Sequence, residues 1–311
     1  MKPRIRIAFA DFWKTFSRDN YFTQLLARRF DVQVCDNPDY LFYSCFGKKH
    51  LDHAGIRIFY TGENVRPDFH TCDWAFTFDH SDHPAHYRMP LYGLKEPEKL
   101  IRAEGDVSAT LTAKTGFCNF VYGNPKCRKR NNFFAKLSKY KQVDSGGRYL
   151  NNVGGPVKDK QDFIARYKFT IAFENTSYPG YTTEKIADPM KVHSLPIYWG
   201  NELVHLDFNP GSFVNYDDYG NDEALIDRII ELDRDDEKYL AQMREPCFHG
   251  NRINEFVDPE NVLDRFEGIF ASSKKPVAKT AKFHFLHRQK HRLVRNTTRV
   301  VRQAMRAMRN E

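Results

Sequence analysis

The chain has 311 residues, enough for two domains that each bury a core, and its 41% hydrophobic content with 26 Phe and 16 Tyr excludes a disordered chain. No stretch approaches the ~20 consecutive apolar residues of a membrane-spanning helix. The net charge of +8 is uneven: Ala271 to Glu311 holds twelve Lys/Arg against a single acid and carries +11, so the rest sums to −3 and is not a general polyanion or nucleic-acid binder.

Along the chain, short apolar runs alternate with helical patterns. Ile5 to Ala10 predicts a first strand, with too short an apolar run before Asp11 for a secretory signal. A helix around Asp19 to Arg29 puts Phe22, Leu25 and Leu26 on one face. Asp31–Cys35, Tyr40–Cys45, Ile56–Tyr60 and Trp74–Phe78 predict further strands. The pattern restarts with a strand at Phe117–Tyr122 and a helix near Asn131–Tyr140. A helix and strand within Gln161–Phe173, a helix from Thr183 to His193 and a strand at Leu195–Trp199 follow. A strand at Ser212–Val214 precedes helices at Asp222–Leu232, Asp235–Arg244 and Pro259–Phe270. Such alternation implies α/β architecture with parallel sheets covered on both faces. Two series, joined near Ala103 to Gly116, predict two Rossmann-like domains facing a cleft: residues 1–110, residues 111–270 with the last helix able to cross back, and a tail, 271–311. In the tail, Leu286, Leu293, Val294, Val301, Met305 and Met308 recur at helical spacing among Lys and Arg, the pattern of a basic amphipathic helix. It suits the anionic cytoplasmic face of a membrane, against readings as a solvated helix, an oligomerisation segment or a nonspecific nucleic-acid binder. The six cysteines lack CxxC or zinc spacing and are expected to be reduced. Localisation is therefore expected to be cytoplasmic, and the sequons at Asn175 and Asn296 are not expected to carry glycans.

The polar residues concentrate in a few loops. Glu174 and Asn175 follow a predicted strand, and Tyr181, Thr182, Thr183, Glu184 and Lys185 open a helix. A helix N-terminus with a lysine favours phosphate, and Glu184 suits sugar hydroxyls; a plain capped helix start fits the spacing equally well. In VDSGGRYLNN, Gly146 and Gly147 allow a tight approach and Arg148 offers a planar cation, although a turn with a surface arginine fits as well. Glu63, after the strand Ile56–Tyr60, is a candidate base for a hydroxyl, or a turn carboxylate. His80, His83 and His86 with Asp79 and Asp82 lack the regular spacing of a metal site, and no metal is expected. His86, Arg88 and Tyr92 are candidates for an acceptor-pocket rim, with ordinary loop packing the alternative.

FENTSYPGYTTEK followed by LPIYWG closely resembles the signature of the α1,3/4-fucosyltransferase family. KQVDSGGRYLNN, YTGENVRPDF and YRMPLY are similar to its bacterial members and occur in the same order, over about Arg57 to Val214. The resemblance implies a GT-B fold and inverting transfer of fucose from GDP-β-L-fucose to a GlcNAc or glucose hydroxyl, α1,3 or α1,4, with no metal cofactor required. It implies Glu63 as general base, Arg148 and Lys185 on the donor diphosphate, and Asn175, Tyr181 and Glu184 around the nucleotide sugar. Thr176 departs from the commoner serine but keeps the hydroxyl. Phosphate-binding residues do not by themselves identify the sugar, so a GT-B transferase for another nucleotide sugar is the alternative among enzymes, and a non-catalytic membrane- or polyanion-binding protein the alternative outside them. Membrane attachment would place the chain near lipid-linked or lipopolysaccharide acceptors.

Overall fold

The structure, a computed structural model, describes residues 1–103, 105, 107–280, 286 and 289. It divides into two compact units, one of residues 1–77, 82–87 and from 263 onward, the other of residues 78–81 and 88–262. The expected basic helix of the tail lies almost entirely outside the described residues.

The first unit is built on a sheet of β1 (Arg4–Ala10), β2 (Asp31–Val34), β3 (Tyr40–Tyr43), β4 (Ile56–Tyr60), β5 (Trp74–Thr77) and β6 (His86–Arg88), in the order β2-β1-β3-β4-β5-β6. β1 to β5 run parallel, with Ile7 opposite Val34 on one side and Tyr40 on the other. The order reverses between β1 and β3. Helix α1 (Tyr21–Leu26) starts at a capping box in which Asn20 accepts from the Phe22 and Thr23 amides and Thr23 returns a bond to the Asn20 amide. Its Phe22 joins Phe42, Phe76 and Phe266 in an aromatic core, with Phe76 and Phe266 stacked at 4.6 Å.

The second unit contains α2 (Ser108–Thr112), β7 (Gly116–Phe120), α3 (Arg128–Leu137), β8 (Val143–Ser145), α4 (Lys160–Ala165), β9 (Tyr167–Phe173) and α5 (Glu184–Lys191). It continues with β10 (Leu195–Trp199), β11 (Val214–Asn215), α6 (Asp222–Arg234), α7 (Asp236–Arg244) and the start of α8 (Pro259–Ala271). Its sheet is parallel throughout, in the order β11-β10-β9-β7-β8, and reverses between β7 and β9. β9 lies at its centre, and every residue but Lys168 is buried, which is why YKFTIAF reads as a nearly continuous apolar run.

Two expectations are corrected and two strands are added. The first domain does not extend to residue 110: Tyr92 and Leu100 are fully buried with Tyr198, Phe208 and Val257 in the core of the second unit. The strand expected at Ser212–Val214 is a 3₁₀ turn, Pro210–Ser212, followed by β11. The three-residue strands β6 and β8 were not anticipated, being too short to show periodicity.

Candidate active site

Where strand order reverses in a doubly wound sheet, the adjoining loops part and leave a crevice beyond the strand ends. In the second unit this point lies between β7 and β9, and a cavity of ≈ 240 Å³ occupies it. Val121 to Asn124 after β7, Thr170 and Ile171 of β9, Asn175, Lys160 and the α5 residues Glu184 and Lys185 form its wall.

Glu174 organises this wall. It is fully buried one residue past β9, and its amide extends the ladder to the Trp199 carbonyl. Its carboxylate accepts from the Thr183 amide at 2.7 Å, the Thr183 hydroxyl at 2.8 Å and Lys185 Nζ at 2.9 Å. Gly200 is needed beside it, because a Cβ there would stand 2.5 Å from Glu174 Cγ. Thr183 caps α5 through its hydroxyl, so Glu174 holds both the helix start and the lysine that follows it. Burial raises the Glu174 pKa. Burial opposes the charge of Lys185, but Glu174 and Glu184 outweigh it and the ammonium pKa rises. Burial likewise opposes the charge of Glu184, and Lys185 and Lys160 more than offset it, holding that carboxyl below its usual range.

Gly147 and Arg148 adjoin the Tyr122–Gly123 part of this wall. A Cβ on Gly147 would lie 2.0 Å from the Tyr122 carbonyl oxygen, so only glycine lets this loop close on the end of β7. Asn152 braces the same loop, accepting from the Ser145 amide and donating to the Val143 carbonyl. The exposed Arg148 then extends alongside Gly123, with Nε and Nη2 each 3.3 Å from where a Gly123 Cβ would stand.

Asn175 accepts from Arg130 Nη1 at 3.0 Å. Arg130 is fully buried, lies 3.8 Å over the Tyr122 ring and donates to the Asn124 carbonyl. Arg130, Glu174 and Lys160 were not among the predicted site residues. Arg130 sits on a helix that reads only as amphipathic, and the one available signal was for Glu174, its place in the same motif as Asn175.

Tyr181 is buried, its ring edge-on to Phe78 at 4.9 Å. Its loop is held by Asp207 and Asn201. Asp207 accepts two bonds from Arg88, at 2.6 and 2.8 Å, one from the Tyr92 hydroxyl and one from Thr182, while Asn201 accepts from the Gly180 amide and donates to Thr182. Arg88 and Tyr92 are therefore buried structural groups of the second unit and do not form an acceptor rim, since both are buried and turned inward onto Asp207. His86, in the first unit, is also buried, with Nε2 on the Thr77 hydroxyl at 2.9 Å. Among the described residues no three His, Cys, Asp or Glu side chains are arranged to hold a metal ion, and no helix is long and apolar enough to cross a membrane. Glu63 lies in the first unit, exposed in the loop after β4, with its amide donating to the Thr61 hydroxyl at 3.0 Å.

Two parallel-sheet Rossmann-like units, one with a cation-lined crevice at its strand-order reversal, make up the GT-B fold. Residues 7–95 match the family described as alpha-(1,3)-fucosyltransferase FucT, N-terminal domain, and residues 111–244 match glycosyltransferase family 10 (fucosyltransferase), C-terminal. The chain belongs to this fucosyltransferase family. It is 34% identical over 290 residues to the alpha-(1,3)-fucosyltransferase FucT of Helicobacter pylori, covering 78% of this chain and 60% of that protein, so it spans about three-fifths of that relative's length. A solved alpha1,3-fucosyltransferase structure superposes with TM-score 0.77 and 30% identity, over 89% of this chain and 92% of the other. A complex of an alpha1,3-fucosyltransferase with GDP-fucose gives TM-score 0.74 and 28% identity, over 88% and 92%.

Proposed function

We propose that the chain transfers L-fucose from GDP-β-L-fucose to a GlcNAc or glucose hydroxyl of a lactosamine-type acceptor, forming an α1,3 or α1,4 bond with inversion. The observation that carries this reading is the crevice itself, with Lys160 and Lys185 at the start of α5 in its wall and Arg148 beside Gly123, another wall residue. Such a set stabilises the charge that develops on a departing diphosphate, and Glu184 and Asn175 offer partners for sugar hydroxyls. As the acceptor oxygen attacks the fucose anomeric carbon, its proton passes to Glu63, the bond to the β-phosphate breaks, and GDP leaves with the electron pair. The positive charge is supplied by side chains and backbone, so activity is expected to survive a chelator. The basic tail is proposed to attach the enzyme peripherally to anionic membrane, which liposome sedimentation of a chain truncated after Lys275 tests.

The decisive experiment is a mass-spectrometric transfer assay with GDP-fucose, GDP-mannose and UDP-sugars against lactose, N-acetyllactosamine and lacto-N-biose. Transfer from GDP-fucose alone supports the reading. Transfer only from another nucleotide sugar, or none from any donor, refutes it.

A further inference from the structure

The first unit carries a second crevice, walled by the ends of β3 and β4 and the segments that follow them. Behind its wall Asp11, the residue after β1, faces a 3₁₀ turn, Lys49–Asp52. Asp11 adopts φ +59°, a left-handed conformation that an L-residue takes only when its surroundings hold it there. Its carboxylate accepts from the Lys49 amide at 3.0 Å, the His50 amide at 2.9 Å and His50 Nδ1 at 2.8 Å. The chain makes room for it at Gly47, where a Cβ would stand 2.1 Å from Asp11 Oδ1. A strained residue, a glycine left open for its carboxylate and three converging donors all serve to fix one imidazole.

The His50 ring is 6% exposed and stacks on Tyr43 at 4.0 Å. It forms part of the wall of a ≈ 320 Å³ cavity with Tyr43, Ser44, Lys48, Val65 and Arg66. With Nδ1 committed to Asp11, Nε2 has no hydrogen-bond partner among the described residues. Burial lowers the His50 pKa despite Asp11, while the Asp11 carboxyl, which burial alone would raise, is held low by its bonds to His50 and Lys49. At neutral pH the pair is a carboxylate bound to a neutral imidazole, which leaves Nε2 a lone-pair acceptor. An aromatic face and a fixed neutral acceptor, with the polar ends of Lys48, Arg66 and Asp68 on the same wall, suit a hydroxylated ring. The cavity also adjoins the Glu63 loop: Val65 and Arg66 line it, and Cys45, another lining residue, contacts Thr61, whose hydroxyl accepts the Glu63 amide.

We propose that this cavity binds a sugar ring of the acceptor and that His50 Nε2 accepts a hydrogen bond from one of its hydroxyls, with Asp11 as the residue that positions the imidazole. The assignment deepens the fucosyl-transfer reading and rests on it for the identity of the saccharide. His50→Asn separates recognition from structure, because the asparagine amide can still donate to Asp11 from the Nδ1 position but presents nothing at Nε2. In titrations of the full chain with lactose, N-acetyllactosamine and lacto-N-biose, the variant is expected to bind the preferred saccharide about ten-fold more weakly, the worth of one neutral hydrogen bond. Acceptor KM rises by the same factor, while GDP affinity stays that of the wild type. Val65→Trp, at a position 39% exposed, fills the cavity and abolishes saccharide binding with GDP binding intact. Wild-type saccharide affinity in folded His50→Asn, or in Val65→Trp should the first variant not fold, overturns the proposal, as does a wild-type chain that binds none of the three sugars. A wild type that binds a saccharide through His50 yet transfers no fucose overturns the transfer reading and leaves this site standing.

Discussion

Replacing Glu174 by glutamine keeps the shape of the side chain and removes its charge. In the wild type that charge faces Lys185 at 2.9 Å with the carboxylate fully buried and only 14% of the lysine side chain exposed. The glutamine carbonyl can still accept the Thr183 amide, but its NH₂ then points at an ammonium that has lost its buried partner. Breaking a buried pair on one side costs about 3–5 kcal/mol. At about 2–4 °C per kcal/mol for a unit of this size, the midpoint should fall by roughly 6–20 °C. The ammonium, no longer held, should also serve the nucleotide poorly, so GDP affinity should drop by at least about ten-fold, or ~1.4 kcal/mol. Calorimetry measures both, by thermal scan and by GDP titration. Glu174→Gln combined with Lys185→Met removes the stranded charge and should recover part of the stability while GDP binding stays weak. A Glu174→Gln protein with wild-type midpoint and wild-type GDP affinity would refute the argument that this carboxylate anchors the donor lysine.

Glu63→Gln should bind GDP as the wild type does and lose about 10²–10⁴-fold in transfer rate, followed with radiolabelled donor; undiminished transfer removes Glu63 from the base role. Arg148→Ala should lower kcat/KM for the donor by about 10²-fold with little change in stability, because the side chain is exposed. Arg88→Met should destabilise by about 3–5 kcal/mol, since it strands the buried Asp207, yet leave acceptor KM unchanged in the folded fraction; a KM change without a stability loss would restore Arg88 to the acceptor side. His193 is half-buried, and burial, with Arg102 and Lys114 nearby, lowers its pKa to about 4. The unfolded chain therefore takes up the proton first, and stability present above about pH 6.5 declines as pH falls toward about 4. His193→Asn, which tolerates the observed φ of +56°, should flatten urea midpoints measured between pH 7.5 and 4.5, and an unchanged slope would assign the acid sensitivity elsewhere.

Much of this architecture is legible in the sequence because parallel strands buried on both faces leave continuous apolar runs, as at Tyr167–Phe173 and Leu195–Trp199. The crevice loop is legible for the complementary reason: Asn175, Glu184 and Lys185 crowd a strand end where a core has no use for them. What stayed hidden was the division of labour within that loop. Glu174 and Asn175 are adjacent and equally polar in the sequence, yet one is sealed beneath Thr183 and Lys185 while the other lies at the crevice wall. Arg88 and Tyr92 looked like exposed rim residues because their partner, Asp207, lies more than a hundred positions along the chain and carries no local signal.

The same loop is thus gripped from two sides, at Thr183 by Glu174 and at Gly180 and Thr182 by the Asp207–Asn201 network. Between Gly180 and Thr182 lies Tyr181, buried against Phe78, and immediately after Thr183 come the two charged residues at the crevice. A loop left to water would sample many conformations and Lys185 would meet a diphosphate only part of the time. Fixing it beforehand moves that ordering cost from substrate binding to folding. Buried polar groups therefore belong to the site although they touch no ligand: losing Asp207 should weaken donor binding through loop disorder, whereas losing Lys185 should weaken it through charge. Salt separates the two cases, because the electrostatic loss shrinks as ionic strength rises and the ordering loss does not.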